Sequence, residues 1–238
     1  MEYTFKTIGT IHSCFKEKFG IPRQPGLIEE APATLVFHRD YANVDAIRDL
    51  ERFSHIWILF VFHQAITKDW PVMVRPPRLW GNKKVGVFAS RSPFRPNPVG
   101  MSAVRLDHIE IDDQGPVLHL KGVDILDQTP VLDIKPYLPY SDIIESASGG
   151  FAPSAPGPAF QIIFSDAAEA HCRILQNTYP DIRTIIVKML ENDPRPAYKA
   201  DNSNSDGKIS GIRLFDIDLK WTVMGKEIRV LSLDKPGD

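Results

Sequence analysis

A chain of 238 residues, 43% hydrophobic and 24% charged, carries enough apolar material for one large domain, or one plus a small appendage. Its 28 basic and 30 acidic residues leave a net charge of −2, which excludes a globally basic nucleic-acid coat protein. Cys14 and Cys172 lie far apart without metal-ligand spacing, which excludes a disulfide framework or zinc finger and points to a reducing, cytoplasmic setting.

The first residues, MEYTFKTIGTIHS, lack a charged stretch followed by an apolar one, so no secretory leader is expected. Short strands are predicted over 3–11, 34–37, 56–62, 85–89, 103–111, 117–123 and 131–134, because β-branched runs there end at Pro, Gly or Asn. The longest apolar run, IWILFVF at 56–62, has seven residues against the ~20 of a membrane helix, so it reads as a buried strand and no membrane partner is expected. One short helix is predicted over 43–51, with Asn43 as cap and Val44, Ile47 and Leu50 on one face. Many short strands with almost no helix indicate a barrel or sandwich.

Residues 146–159, SASGGFAPSAPGPA, have a linker composition and divide the chain into domains at 1–145 and 160–238. The second part begins with a strand over 160–164 and a helix capped by Ser165 that runs to Asn177. A further helix is capped by Asp181, with Ile182, Ile185, Ile186, Met189 and Leu190 on one face, and DPRP at 193–196 stops it. Strict alternation over 215–221 predicts a half-buried strand, and a turn leads to another over 228–231. The fold class expected is therefore mainly β, an N-terminal β-barrel domain with a small C-terminal α+β domain.

No GxGxxG, P-loop, HExxH or GxSxG occurs, so a Rossmann site and the common hydrolase centres are not signalled, and no metal is expected. Chemistry-bearing residues gather elsewhere. In GVFASRSPFRPNPVG at 86–100, three prolines stiffen a loop that carries Arg91 and Arg95, each able to clamp a carboxylate or phosphate. The competing reading is a rigid crossover whose arginines cap carbonyls. Residues 72–106 hold seven basic side chains and no acid, which suits a polyanion such as RNA. IPRQPG at 21–26 and His63-Gln64, directly after the apolar run, are further candidates. LDQTPVLDIKPYLPY at 126–140 gathers carboxylate, amine and phenol groups for acid–base work. DPRPAY at 193–198 is a similar stiff loop.

PRQPG, FSHIWILFVFHQ, GVFASRSPFRPNPVG and DQTPVLDIKPYLPY, in this order, resemble the TrmO (TsaA/YaeB-like) family, and DPRPAY resembles its appended C-terminal domain. The resemblance implies a β-barrel that binds S-adenosylmethionine, acts as a homodimer and methylates N6 of N6-threonylcarbamoyladenosine beside the anticodon of a threonine tRNA. It places the cofactor contacts at Gln24, Pro25, Gly26, His63, Gln64, Arg91, Met101, Gln128, Thr129, Pro130 and Val131. Met101 stands where Leu is usual and Gln128 where Gly is common, the latter raising the question of a left-handed backbone. Asp133, Lys135 and Tyr137 are the candidate catalytic groups, and Arg75, Arg78, Lys83, Lys84 and Arg95 the candidate RNA contacts. Two rival readings are a non-catalytic RNA-binding barrel and a methyltransferase acting on a small metabolite.

Overall fold

Alternating apolar residues need an inside and an outside, and a closed sheet supplies both without an exposed edge. The computed structural model describes residues 1–79, 83–192 and 207–235. Its first strands are β1 (Gly9–Ser13), β2 (Pro32–Phe37) and β3 (His55–Val61), followed by a small ribbon of β4 (Met73–Val74) and β5 (Val85–Gly86). With β6 (Val99–Asp112), β7 (Gly115–Lys121) and β8 (Thr129–Pro136) they build a closed six-stranded barrel in the order β1-β2-β7-β6-β3-β8.

β3 shows how the pleat sorts its residues. Ile56, Ile58 and Phe60 point into the barrel and are buried, while His55, Trp57 and Leu59 alternate outward. Phe60 lies opposite Gly100 of β6, where an added Cβ would stand 2.3 Å from the ring, so only glycine admits the phenyl group. Each fully buried aliphatic or aromatic side chain of this kind contributes roughly 1.5–3 kcal/mol.

After a single helical turn, α1 (Pro139–Asp142), residues 143–160 form neither helix nor strand. The second unit comprises β9 (Gln161–Phe164), α2 (Asp166–Leu175), α3 (Ile182–Glu191), β10 (Ile209–Leu214), β11 (Ile217–Met224) and β12 (Glu227–Asp234). Its sheet has the order β10-β11-β12-β9, with β9 parallel to β12. Ser165 caps α2 by accepting from the Ala168 amide at 3.1 Å. The apolar face read from the sequence of α3 is buried as expected. The two units share one hydrophobic core: Phe15 bridges to Leu214, the Phe215 amide donates to the Cys14 carbonyl at 2.8 Å, and Lys188 pairs with Glu30 at 2.7 Å.

Several expectations need correction. The first strand begins at Gly9, not at residue 3, and Tyr3 and Phe5 are exposed. The helix expected over 43–51 is two 3-10 turns, Val44–Ile47 and Leu50–Arg52, because Asp49 adopts a left-handed φ of 66° between them. Asn43 does cap the first, accepting from the Asp45 amide. Only Val85–Gly86 of 85–89 is strand; Val87–Ala89 turns. Asp181 makes no side-chain cap bond. Phe215 and Asp216 form the β10–β11 hairpin turn, Phe215 at φ 56°, so the alternating strand starts at Ile217. The DPRP stop at 193–196 and the DPRPAY loop lie outside the described residues.

Candidate active site

Antiparallel pairing collects strand ends. The C-terminal ends of β1, β3 and β7 and the N-terminal ends of β2, β6 and β8 all lie at one rim of the barrel. Described residues of three connections cover this rim: 14–31, 62–79 with 83–98, and 122–128. The segments 21–26, His63-Gln64, 91–98 and 127–130 belong to those connections or adjoin them. Residues up to 109 positions apart in the chain therefore share one neighbourhood.

Hydrogen bonds tie the connections together. The Gly26 amide donates to the Gly122 carbonyl at 2.9 Å, and Arg91 Nη1 donates to Gln24 Oε1. Lys18 Nζ donates to the Gln64 carbonyl at 2.7 Å, and the Phe62 amide to the Pro98 carbonyl at 2.8 Å. Gly26 has a φ of 77°, and a Cβ there would enter open space, so the backbone of this turn is accessible from outside. Burial holds the His63 imidazole below its ordinary pKa, opposed by its bond to Val61 and assisted by Lys18. At neutral pH it therefore serves as a neutral hydrogen-bonding group.

Two residues that sequence reasoning passed over complete the cluster. Ser102, pointing inward from β6, donates to Asp124 Oδ1 at 2.6 Å. Burial pushes the Asp124 carboxyl up to about 6, while the Ser102 bond and the Arg91 guanidinium hold it from rising further. The sequence does carry a trace of it, an acid set between Val123 and Ile125, both fully buried.

At the start of β8, Asp127 accepts from the Ser13 amide at 2.9 Å and pairs with Lys16 at 2.9 Å. Gln128 has a φ of 63°, so the position does demand the left-handed conformation that glycine adopts freely. Its amide donates to the Ile11 carbonyl at 2.8 Å, and its side chain meets His12 Nδ1 at 2.9 Å. We expect Gln128→Gly to change thermal stability by less than about 0.5 kcal/mol, since relief of strain offsets the added chain entropy. Gln128→Val should cost about 1–2 kcal/mol, because a β-branched side chain tolerates positive φ worst; unfolding of both variants by denaturant measures this. Thr129 and Val131 are buried in the barrel wall, backbone included, whereas Pro130 is half-buried and Gln128 exposed.

The other candidates lie farther from the rim. Met101, Leu59 and Asp133 form one outward-facing row across β6, β3 and β8, with Met101 57% exposed. Lys135 sits one row down, opposite Trp57, and pairs with Asp133 at 2.8 Å. Tyr137 lies beside Trp57 at 5.5 Å and His55 at 6.3 Å, eight residues along β8 from Thr129 and about 26 Å away at strand rise. The structure thus brings Asp133 toward the rim and leaves Tyr137 at the far end. Arg95 is engaged internally, donating to the Val87 and Ser90 carbonyls at 3.2 and 2.8 Å, as the crossover reading expects. Arg78 donates to the Ser154 carbonyl. Among the described residues Arg75, Lys83 and Lys84 are exposed and form no ion pair.

The donor set fits S-adenosylmethionine. An exposed guanidinium at Arg91 suits its carboxylate, the Asp124 carboxyl suits its positive charge, and the open turn at Gly26 with the exposed Gln128 side chain suits a base and ribose. Among the described residues no group of three or more His, Cys, Asp or Glu is placed to hold a metal.

Comparison with known proteins agrees. The tRNA-methyltransferase O N-terminal domain matches residues 10–143 and the TrmO C-terminal domain residues 157–236. A tRNA (adenine(37)-N6)-methyltransferase of Escherichia coli is 43% identical over 232 residues, covering 98% of both chains. A Pseudomonas aeruginosa protein described as a putative S-adenosylmethionine-dependent methyltransferase, RcsF, is 44% identical over 236 residues, again covering 98% of both. The crystal structure of TrmO from P. aeruginosa superposes with a TM-score of 0.80 at 38% identity, covering 99% of this chain and 98% of that one. Sequence motifs, barrel and full-length relatives coincide, and the chain belongs to the tRNA-methyltransferase O family.

Proposed function

We propose that this protein transfers a methyl group from S-adenosylmethionine to N6 of the adenosine beside the anticodon of tRNA. N6-threonylcarbamoyladenosine of a threonine tRNA is the substrate we assign. The observation that carries the reading is the convergence of the 21–26, 63–64, 91–98 and 122–131 segments on one barrel rim. We assign Gln24, Pro25, Gly26, His63, Gln64, Arg91, Gln128 and Pro130 to the cofactor there, with Thr129 and Val131 forming the wall beneath it and Met101 bordering it on the outward face of β6.

The cofactor supplies an electrophilic methyl on a sulfonium centre, so the protein's work is placement and charge. Arg91 clamps the carboxylate end with its two-pronged fork. Asp124 lies behind it and favours the cationic portion of the ligand. Two reactants held in line need little further assistance, because orientation alone supplies much of the rate. The N6 proton, acidified by the adjoining carbamoyl group, passes to Asp133 Oδ2, the only carboxylate of the three candidates and the one of them nearest the rim. Lys135 keeps that carboxylate oriented, and Tyr137 shapes the outer wall.

The outward face of β3, β6 and β8 carries Trp57, Leu59, Val99 and Met101 together. Val99 is 43% exposed and Met101 57%, an apolar strip that a second copy of the chain would cover, which supports the homodimer we assign. Both cysteines are free and buried, which supports a reducing, cytoplasmic setting, and no helix among the described residues is long and apolar enough to cross a membrane.

Mass spectrometry of tRNA nucleosides from a deletion strain tests the reaction. The N6-methylated threonylcarbamoyladenosine should disappear, and the unmethylated form should accumulate by a matching amount. Persistence of the methylated nucleoside would overturn the proposal.

A further inference from the structure

The β4–β5 ribbon lies beside the cofactor rim but takes no part in it. Its register sets Met73 opposite Gly86 and Val74 opposite Val85, and the Val87 amide donates to the Val72 carbonyl at 3.0 Å. Extending this pairing brings Trp70 next to Phe88 at one end, where their ring centroids stand 5.9 Å apart with planes tilted 41°. The same register sets Arg75 and Lys84 across from one another at the other end, about 16 Å away at strand rise.

Large aromatic side chains normally leave water. Phe88 is 72% exposed, Trp70 40% and neighbouring Phe94 43%, although Val87 between them is buried. Phe88 is not held out by accident of a loose loop. The Arg95 guanidinium lies 5.7 Å from its ring centroid and is itself fixed by the Val87 and Ser90 carbonyls. A locked arginine and two exposed aromatic faces make a preformed surface, with little side-chain entropy left to lose on binding. The surrounding segment, residues 72–106, contains no acidic residue.

Apolar faces bordered by a cation-rich segment, with Asp69 beside Trp70 as the one neighbouring acid in the chain, fit a partner that is flat and aromatic yet negatively charged along its length. Unpaired nucleotides have that chemistry: bases stack on aromatic rings while phosphates follow the basic residues. We propose that Trp70 and Phe88 form a stacking platform for unpaired bases of the anticodon loop, with Arg75 and Lys84 receiving the phosphates that follow. This rests on the tRNA-methyltransferase reading and adds to it the element that grips the loop. Phe88 is three residues from Arg91, at most about 10 Å of chain, so a base on the platform is a near neighbour of the adenosine at the rim.

The test uses the full-length protein and a threonine tRNA carrying N6-threonylcarbamoyladenosine, with binding followed by anisotropy over a range of salt. Phe88→Ala and Trp70→Ala should each weaken binding at least about fivefold, because a base–aromatic stack is lost, and leave the salt slope unchanged. Phe88→Tyr and Trp70→Phe should keep near wild-type affinity. Arg75→Ala combined with Lys84→Ala should instead lower the slope of log K against log salt by about 1.4. S-adenosylmethionine affinity and the sedimentation mass should not move in any variant. The inference is overturned if both alanine variants bind tRNA as wild type does, or if the aromatic replacements lose as much as alanine. It is equally overturned if the alanine variants alter the sedimentation mass, which would make this face a contact between copies. A wild-type protein that fails to bind tRNA would overturn the methyltransferase reading and this inference together, whereas wild-type binding with unaffected variants overturns this inference alone.

Discussion

Arg91→Ala should weaken S-adenosylmethionine binding roughly 10- to 150-fold by isothermal titration, the equivalent of losing one charge-assisted hydrogen bond of about 1.5–3 kcal/mol. The guanidinium is exposed and lies in a loop whose prolines limit how far the backbone can retreat. Its contact with Gln24 Oε1 joins the 14–31 and 62–98 connections, which also meet where Lys18 Nζ donates to the Gln64 carbonyl. Loss of that joint alone would be a lesser injury, and Gln24→Ala measures it. The double comparison separates the two effects: Arg91→Ala must cost clearly more than Gln24→Ala if the arginine touches the ligand. Arg91→Lys should recover only part of the loss, since an ammonium presents a point charge where the carboxylate wants a planar fork. Equal affinities for wild type and Arg91→Ala would remove Arg91 from the site.

That arginine was legible in the sequence because prolines announce a shaped loop and the loop contained few other charges. The barrel was legible because short apolar or β-branched runs ended by Pro, Gly or Asn, with almost no helix between them, marked its strands; only the closed sheet then sorted the continuous run of β3 into Ile56, Ile58 and Phe60 inside and Trp57 and Leu59 outside. It failed where tertiary contact decides local geometry. Asp49 interrupts what its neighbours' spacing describes as one helix, and no propensity scale foresees a left-handed aspartate. Phe215 continues a perfect alternation into a hairpin turn because its amide is claimed by Cys14 from the other unit. Asp124 and Ser102 were passed over for a related reason. Each is an ordinary polar residue in its own strand or loop, and only the barrel's closure sets them 2.6 Å apart. The motif at 126–140 showed the converse, offering three acid–base groups that the strand's rise then spread along the barrel's length.

Asp124 has the second large expected effect, and its sign is specific. An aspartate in an unfolded chain titrates near 3.8, whereas in the folded protein burial places Asp124 at about 6. Between those values the native state keeps a proton that the unfolded state releases. Stability from this group is therefore complete below about pH 3.8 and is lost as pH rises through 6, by about 3 kcal/mol in all. Asp124→Asn keeps the oxygen that accepts from Ser102 and carries no charge at any pH. Its unfolding free energy relative to wild type should accordingly rise by about 2–3 kcal/mol between pH 4 and pH 7.5, read from denaturant curves at each pH. Cofactor binding should move the other way. Wild-type affinity for the cationic ligand should strengthen from pH 5 to pH 7.5 as the carboxylate ionises, whereas the variant's affinity should stay flat and weaker at the upper end. A variant that is more stable yet binds less well marks a charge retained in the fold for its ligand and not for packing. Parallel pH profiles for wild type and variant, in stability and binding alike, would show that Asp124 is merely a buried partner of Ser102.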